Sequence, residues 1–279
     1  MLRIRTMTRY DVTAAMRLNH EAGWNQVTDD WHRFLSIEPE GCFVADIDGQ
    51  LVGTTVTCVF GSIAWMAMVL VSPVRRGDGI GTGLTQHAVG WLEERGVDTI
   101  RLDATPLGLP MYERLNFVPQ FELARYAGRP VQIADNDDAT ETPAQEELAR
   151  MIEFDQKVTC TFREKWLTAL FAAWPDAVRL VRANGEIQGF VAARRGAHAS
   201  QVGPCLARGE AGPRLFHHIA RRYAGEAVLI DVPVPNVEAG KHAELMGLRV
   251  ERHLVRMCRG KRVQESVEHL WSSSGPELG

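Results

Sequence analysis

The first half of the chain switches repeatedly between two apolar periods. "LRIRT" alternates with a period of two. "DVTAAMRLNHEA" carries apolar positions at helical spacing behind Asp11, which can cap the first turn. After the aromatic loop "GWNQ", "TDDWHRFLSI" returns to helical spacing. "CFVADIDGQLVGTTVTCVFG" reads as two strands around Asp48-Gly49, a dipeptide suited to a tight hairpin. "IAWMAMVLV" is almost continuously apolar, as expected of a strand covered on both faces. From Ile80 the positions Leu84, Ala88, Trp91 and Leu92 follow helical spacing, and Gly96 ends the run where a left-handed cap is needed. In "TIRLDAT", Ile100, Leu102 and Ala104 take one face while Arg101 and Asp103 take the other. A short helix "LPMYERL" follows, with Pro110 in its first turn and Asn116 suited to its C-cap, before the strand "FVPQFELARY". The predicted order is β-α-α-β-β-β-α-β-α-β.

The segment "AGRPVQIADNDDATETPAQ" is acidic, rich in small residues and aperiodic, which places a domain junction within residues 128–143. Beyond it the pattern repeats. "VRLVRANGEIQGFVAARRG" follows the logic of "FVADIDGQLVGTTVTCVFG", with Asn184-Gly185 and Gly189 in the places of Asp48-Gly49 and Gly53. "VLIDVPVPN" answers "TIRLDATPL", and "AELMGLRVERHLVRM" answers "YERLNFVPQFELARY". This is an internal duplication of a whole domain. The division expected is an N-terminal domain over 1–129, a second over 130–264, and a polar tail over 265–279, which ends in Ser, Gly and Pro and is expected to be partly disordered, with Leu270-Trp271 docking back.

Composition narrows the class. At 279 residues the chain has room for two cores, and 45% apolar with 24% charged residues is ordinary for a globular protein. A net charge of -4 offers no basic face to nucleic acid, and the apolar run Ile63–Val71 is too short to cross a bilayer. The five cysteines, Cys42, Cys58, Cys160, Cys205 and Cys258, are odd in number and never form a CxxC pair, so neither a disulfide framework nor a zinc site is expected. A cytoplasmic location fits that usage. His20, His32 and His87 lack metal-ligand spacing, and Asp29-Asp30 suits a helix cap, so no metal is expected.

The densest chemical signal is "VSPVRRGDGIGTGL", with Gly77, Gly79, Gly81 and Gly83 directly after the apolar strand. Glycines between a strand and a helix let main-chain N–H groups converge where the helix dipole also favours an anion. A diphosphate is the natural guest. A Walker loop would need Gly-Lys-Ser/Thr, which is absent. A dinucleotide fingerprint should open a parallel βαβ unit, whereas this loop follows an antiparallel hairpin; Asp103 does lie at roughly the acidic spacing of such a fingerprint, which keeps that alternative open.

The pattern V-x-P-x-x-R-G-x-G-I-G, then an amphipathic helix, then "LDAT" and "YERLNF", closely resembles the GCN5-related N-acetyltransferase (GNAT) family over residues 2–127. Residues 76–81 match its R/Q-x-x-G-x-G/A pyrophosphate loop, and Tyr112 to Phe117 match its late Y-x-x-x-G/N-F element. The duplicated layout resembles tandem GNAT proteins whose second copy is degenerate. The implied fold is α/β (α+β), two tandem GNAT-like domains, each with a mixed, mostly antiparallel sheet flanked by helices.

The resemblance implies acetyl-CoA as the acyl donor. Val69, Leu70 and Val71 would pair with its pantetheine arm. Arg76, Gly77, Asp78, Gly79, Ile80, Gly81 and Thr82 would receive its pyrophosphate. A strand N–H near Val69 would polarise the thioester carbonyl, and Tyr112 would serve as the acid for the departing thiolate. Where many members carry an Asn seven residues before this Tyr, the chain has Thr105. No general base stands out; Asp103 is one candidate, with a salt bridge to Arg101 as its competing role, and deprotonation through water is the other route. Trp24 and Trp65 are candidates for contact with the acceptor, a small-molecule amine.

With Ser72-Pro73 aligned on Gly203-Pro204, the second copy has Ala207, Glu210 and Ala243 in place of Arg76, Gly79 and Tyr112, while Gly81, Leu84 and Asn116 become Gly212, Leu215 and Gly247. It is expected to have kept its core pattern and lost the cofactor loop, although Asn236 with Ala239 resembles the pantetheine-contacting N-x-x-A. The leading reading is an acetyl-CoA-dependent N-acetyltransferase acting by direct transfer, a monomer or homodimer; the alternative is a CoA-binding sensor or scaffold.

Overall fold

The computed structural model describes residues 1–131, 133 and 140–279, so the middle of the predicted junction lies outside the described residues. The first half runs β1 (Leu2–Thr6), α1 (Val12–Glu21), α2 (Thr28–Ile37), β2 (Cys42–Ile47), β3 (Gln50–Phe60), β4 (Ile63–Val71), α3 (Ile80–Glu93), β5 (Thr99–Ala104), α4 (Leu109–Arg114) and β6 (Val118–Gly128). The second runs α5 (Leu148–Thr159), α6 (Glu164–Ala173), β7 (Arg179–Ala183), β8 (Glu186–Arg195), β9 (Ser200–Ala207), α7 (Ala211–Arg222), β10 (Val228–Pro233), α8 (Val237–Leu245), β11 (Arg249–Gly260) and β12 (Leu270–Ser272). The order of the first half is the one that periodicity predicts.

Local turn chemistry explains the boundaries. Asp48 and Gly49 sit at φ 53° and 82°, and Asn184 and Gly185 at 52° and 78°, so both hairpins close through a pair of left-handed residues whose twist matches the strands. Gly96 at φ 73° and Asn116 at φ 64° follow α3 and α4, as left-handed caps do. Asp11 acts one step earlier than expected: its carboxylate accepts from Thr8 N–H at 2.8 Å and pairs with Arg5, rather than capping α1 itself.

The strands join into one sheet in the order β1-β2-β3-β4-β5-β11-β6-β10-β9-β8-β7, with β12 paired to β9. Among the described strands only β4–β5 and β9–β10 are parallel. The two halves exchange their long last strands: β11 pairs with β5, β6 pairs with β10, and the two pair with each other at the centre. A cut between residues 129 and 130 therefore does not divide the sheet. One apolar layer, with Trp31 and Phe34 of α2 and Leu167 and Leu170 of α6, runs under both halves, while α3 and α7 each cover a separate core on the opposite side.

The tail departs from expectation most. Ser272, Ser273 and Ser274 are buried rather than solvated, because β12 adds to β9 and Ser273 N–H donates to the Asp231 carbonyl at 2.9 Å. Satisfied main-chain bonds make burial of a polar segment affordable. Among the described residues no helix is long and apolar enough to cross a membrane, and no group of His, Cys, Asp and Glu has metal-binding geometry.

Candidate active site

β4 and β5 pair only through Ile63–Trp65 and Thr99–Arg101 and then diverge, leaving one edge of β4 open from Met66 onward. On the other edge β4 carries a bulge. The register with β3 passes from Thr54↔Leu70 to Val56↔Ala67, and Met68 takes φ 54°, a costly value for a non-glycine residue that neighbouring structure must hold. Thr54 helps, its hydroxyl donating to the Met68 carbonyl at 2.8 Å.

The gap between the diverging strands opens into a cleft of about 570 Å³. Val69, Leu70 and Val71 line it on the strand side, and Arg76, Gly77, Gly79, Ile80, Gly81 and Thr82 line it on the loop side. Gly77 and Gly79 adopt φ 93° and 78°. Among the described residues no main-chain carbonyl accepts from the N–H groups of Gly77, Gly79, Ile80, Gly81 or Thr82. A Cβ at Gly77 or Gly79 would meet nothing within 4 Å, so both open toward free space. Unpaired N–H groups at the start of a 14-residue helix form an anion cradle. Asp78 is a correction to the sequence reading: it does not line the cleft, its N–H is directed to the Arg75 carbonyl, and its carboxylate pairs with Arg75 at 3.3 Å.

Tyr112 lines the cleft from α4, packed edge-on against Phe117 at 5.7 Å. No described protein group hydrogen-bonds its hydroxyl. Burial pushes the phenol well above its ordinary pKa of 10, so it stays protonated at neutral pH. Thr105 also lines the cleft, but its hydroxyl accepts from Gly108 N–H at 3.3 Å.

Two acceptor candidates have other partners. Trp65 does not line the cleft. It is sealed beneath the tail, its indole N–H donating to the Pro276 carbonyl at 3.1 Å, with Arg101 and Arg256 stacked at 5.2 and 4.8 Å from its ring. Asp103 does line the cleft, yet both its oxygens accept from Arg256 of β11, at 2.8 and 2.9 Å. Its expected partner Arg101 pairs instead with Glu265. Burial raises the Asp103 carboxyl above the ordinary carboxylate range even though both its oxygens are engaged by Arg256, and only the strand exchange brings Arg256 to it. Trp24 lines the cleft.

Tertiary structure adds residues that sequence reasoning missed. Arg125 of β6, Arg252 of β11 and Glu277 of the tail all line the cleft, 13 or more residues beyond Tyr112 in the chain. Glu277 pairs with Arg194 at 2.9 Å and accepts from Gln26, which ties the tail to both halves. Asn25 joins the two halves directly, accepting from the N–H groups of His198 and Ala199 and donating to the Ala199 carbonyl.

In the second half the equivalent gap is filled. β9 and β10 pair only through Ser200–Val202 and Val228–Ile230, as β4 and β5 do, and β12 enters where they part. Asn236 donates its amide to the carbonyls of Val267, Glu268 and Leu270 and caps α8 by accepting from Ala239 N–H. Trp271 lies on Gly212 so closely that a Cβ there would sit inside its ring system. The chain's own tail thus occupies the place that corresponds to the open cleft.

The models of known families agree with this geometry. The acetyltransferase (GNAT) family model matches residues 8–117, and a second acetyltransferase (GNAT) domain model matches residues 151–272. The chain belongs to the GNAT family, as two tandem domains, and is an acyltransferase of the N-acetyltransferase type. It is 26% identical over 259 residues, 92% of this chain and 87% of the relative, to the holothin acyltransferase of Pseudoalteromonas sp. (strain SANK 73390). A solved acetyltransferase candidate from Pyrococcus horikoshii superposes with a TM-score of 0.86 at 21% identity, covering 100% of this chain and 96% of its own. A GCN5-related N-acetyltransferase from Sphaerobacter thermophilus gives 0.69 at 16% identity, covering 95% and 98%. At such identities the two structures establish the fold.

Proposed function

We propose that the chain is an acetyl-CoA-dependent N-acetyltransferase with one active site, in the first half, and a small-molecule amine as acceptor. The observation that supports this most is the open edge of β4 running directly into a cradle of unpaired N–H groups, both lining the cleft that Tyr112 also lines. Acetyl-CoA supplies the acyl group as a thioester. Gly77, Gly79, Ile80, Gly81 and Thr82 would hold its diphosphate through main-chain N–H groups, with Arg76 adding charge. The open edge of Val69 to Val71 would align the pantetheine arm, and a strand N–H near Val69, beside the Met68 bulge, would polarise the thioester carbonyl. Tyr112 holds its proton at neutral pH and can donate it to the leaving sulfur. The acceptor would lie against Trp24 and the wall formed by β6 and β11. A small acceptor accords with the name of the holothin-acylating relative.

A calorimetric titration with acetyl-CoA tests the reading. One site per chain, lost on Gly79→Glu, is expected. No binding removes both this reading and a CoA-sensing one, whereas two sites would contradict the filled second cleft. A sensor would bind acetyl-CoA and release no thiol with any amine.

A further inference from the structure

The acceptor wall of the cleft carries two arginines but a bonded carboxylate for only one of them. Arg125 and Arg252 are directly opposed residues of the antiparallel pair β6–β11, beside the irregularity between Val250 and Arg252. Like charges in opposed positions of a sheet destabilise it unless each is compensated. Arg125 is compensated: its Nε and Nη2 donate to the two oxygens of Asp231 at 2.7 and 2.8 Å, in a pair that is almost wholly buried. Gln201 donates to the same carboxylate at 3.1 Å, so Asp231 has little capacity left for a second guanidinium.

Arg252 has no such partner. It makes no hydrogen bond or salt bridge with any described residue, and its Nε is buried with no acceptor. Asp231, Glu251 and Glu277 act on it through space only, while burial and the Arg125 charge both work against its charged form. A buried donor left without an acceptor is destabilising, more so when the group is charged. Arg252, like Arg125, lines two clefts at once, the one described above and a second of about 460 Å³ whose lining includes Arg129 and His198. It therefore stands where the cofactor cleft meets a separate opening at the junction of the two halves. An incoming ligand would supply what the fold withholds, a planar or tetrahedral set of acceptor oxygens facing a guanidinium fork.

We propose that Arg252 anchors an anionic group of the acceptor, so that the acceptor is an amine that also bears a carboxylate or a phosphate. The inference rests on the acetyltransferase reading of the cleft. It assigns the acceptor to the β6–β11 wall and gives its charge a partner other than the glycine loop, which would hold the cofactor's diphosphate.

The test uses the full chain, acetyl-CoA and matched probes: L-amino acids against their C-terminal amides, and O-phosphoethanolamine against ethanolamine, with thiol release as the readout. At least one acid is expected to exceed its uncharged counterpart by about tenfold or more in kcat/KM, mainly through KM, since a guanidinium built to bind an anion is left unpaired by the neutral analogue. Preference among amino acids assigns a carboxylate; preference for O-phosphoethanolamine assigns a phosphate. Arg252→Gln should erase the gap, and Arg252→Lys should restore part of it. In both variants the acetyl-CoA titration should be unchanged. A panel in which no acid outperforms its uncharged counterpart overturns the proposal, and so does a tenfold loss of acetyl-CoA affinity in Arg252→Gln, which would assign the arginine to the cofactor. Absence of acetyl-CoA binding to the unaltered chain would instead remove the reading on which the proposal rests.

Discussion

Replacing Tyr112 by Phe isolates one hydroxyl. The ring packs against Phe117 and over Gly108, and these contacts survive the change. Since no described protein group bonds the hydroxyl, its removal orphans no partner, and stability should shift by less than about 0.5 kcal/mol. Affinity for acetyl-CoA, set by the glycine loop and β4, should also hold. The loss should fall on turnover. A positioned acid is typically worth about 10²–10⁴-fold, but a thiolate, whose conjugate acid has a pKa of about 8.5, needs less help than an alkoxide, so a fall of roughly 10- to 100-fold in kcat is expected, or about 1.4–2.7 kcal/mol. The pH response carries an independent sign. Burial raises the Tyr112 pKa above its ordinary 10 in the folded chain, so the unfolded chain releases this proton first. The stability that Tyr112 contributes is thus complete below about pH 10 and declines as pH rises beyond it, and kcat should show no loss from phenol ionisation below that value. Steady-state thiol release from pH 6 to 10, with denaturant unfolding alongside, decides the matter. A kcat equal to that of the unaltered enzyme across this range would remove Tyr112 from the chemistry.

Three further outcomes are expected. Gly79→Glu copies the second half's loop into the first; at φ 78° a side chain costs about 1 kcal/mol, and the added carboxylate should abolish acetyl-CoA binding in a titration while the chain still folds. Trp271→Ala removes a ring that is 3% exposed and lies edge-on to Phe216 at 5.1 Å, so unfolding in urea should register a loss of about 3–5 kcal/mol; a loss under about 1 kcal/mol would mean the tail does not fill the second cleft. The Arg5 guanidinium holds the Asp11 carboxyl down to about 2, below its ordinary 3.8, so the pair adds roughly 1–2 kcal/mol above pH 4 that disappears as pH falls toward 2. Arg5→Met should therefore weaken the chain at pH 7 and leave its stability near pH 2 almost unaltered, as acid titration by circular dichroism would show.

The parts of the site that were legible in the sequence are those held by neighbours along the chain. Gly77 and Gly79 stand where only a left-handed backbone makes the turn, and their spacing from the apolar strand and from Tyr112 marks the cleft before any contact is known. Asp78 shows the limit of such a reading, since a motif names positions but not which way each peptide faces. Trp65 and Asp103 show a deeper limit. Both lie on strands that the alternation places correctly, yet what covers Trp65 is Pro276, and what holds Asp103 is Arg256, 153 positions away in the chain.

The sequence by itself determined the elements of the first half, the two hairpins with their paired left-handed residues, the duplication, and the survival of one glycine loop out of two. Each of these follows from local chirality and periodicity, which act over a few residues. Tertiary structure alone decided that β6 and β11 trade places, that β12 closes the second cleft, and that Arg252 is left unpaired on the wall of the first. Those outcomes depend on which strand edge is free when another strand arrives, and on where a buried charge finds its counterion. Strand edges and buried charges are satisfied across the whole fold, by partners at any distance in sequence, so no local pattern encodes them.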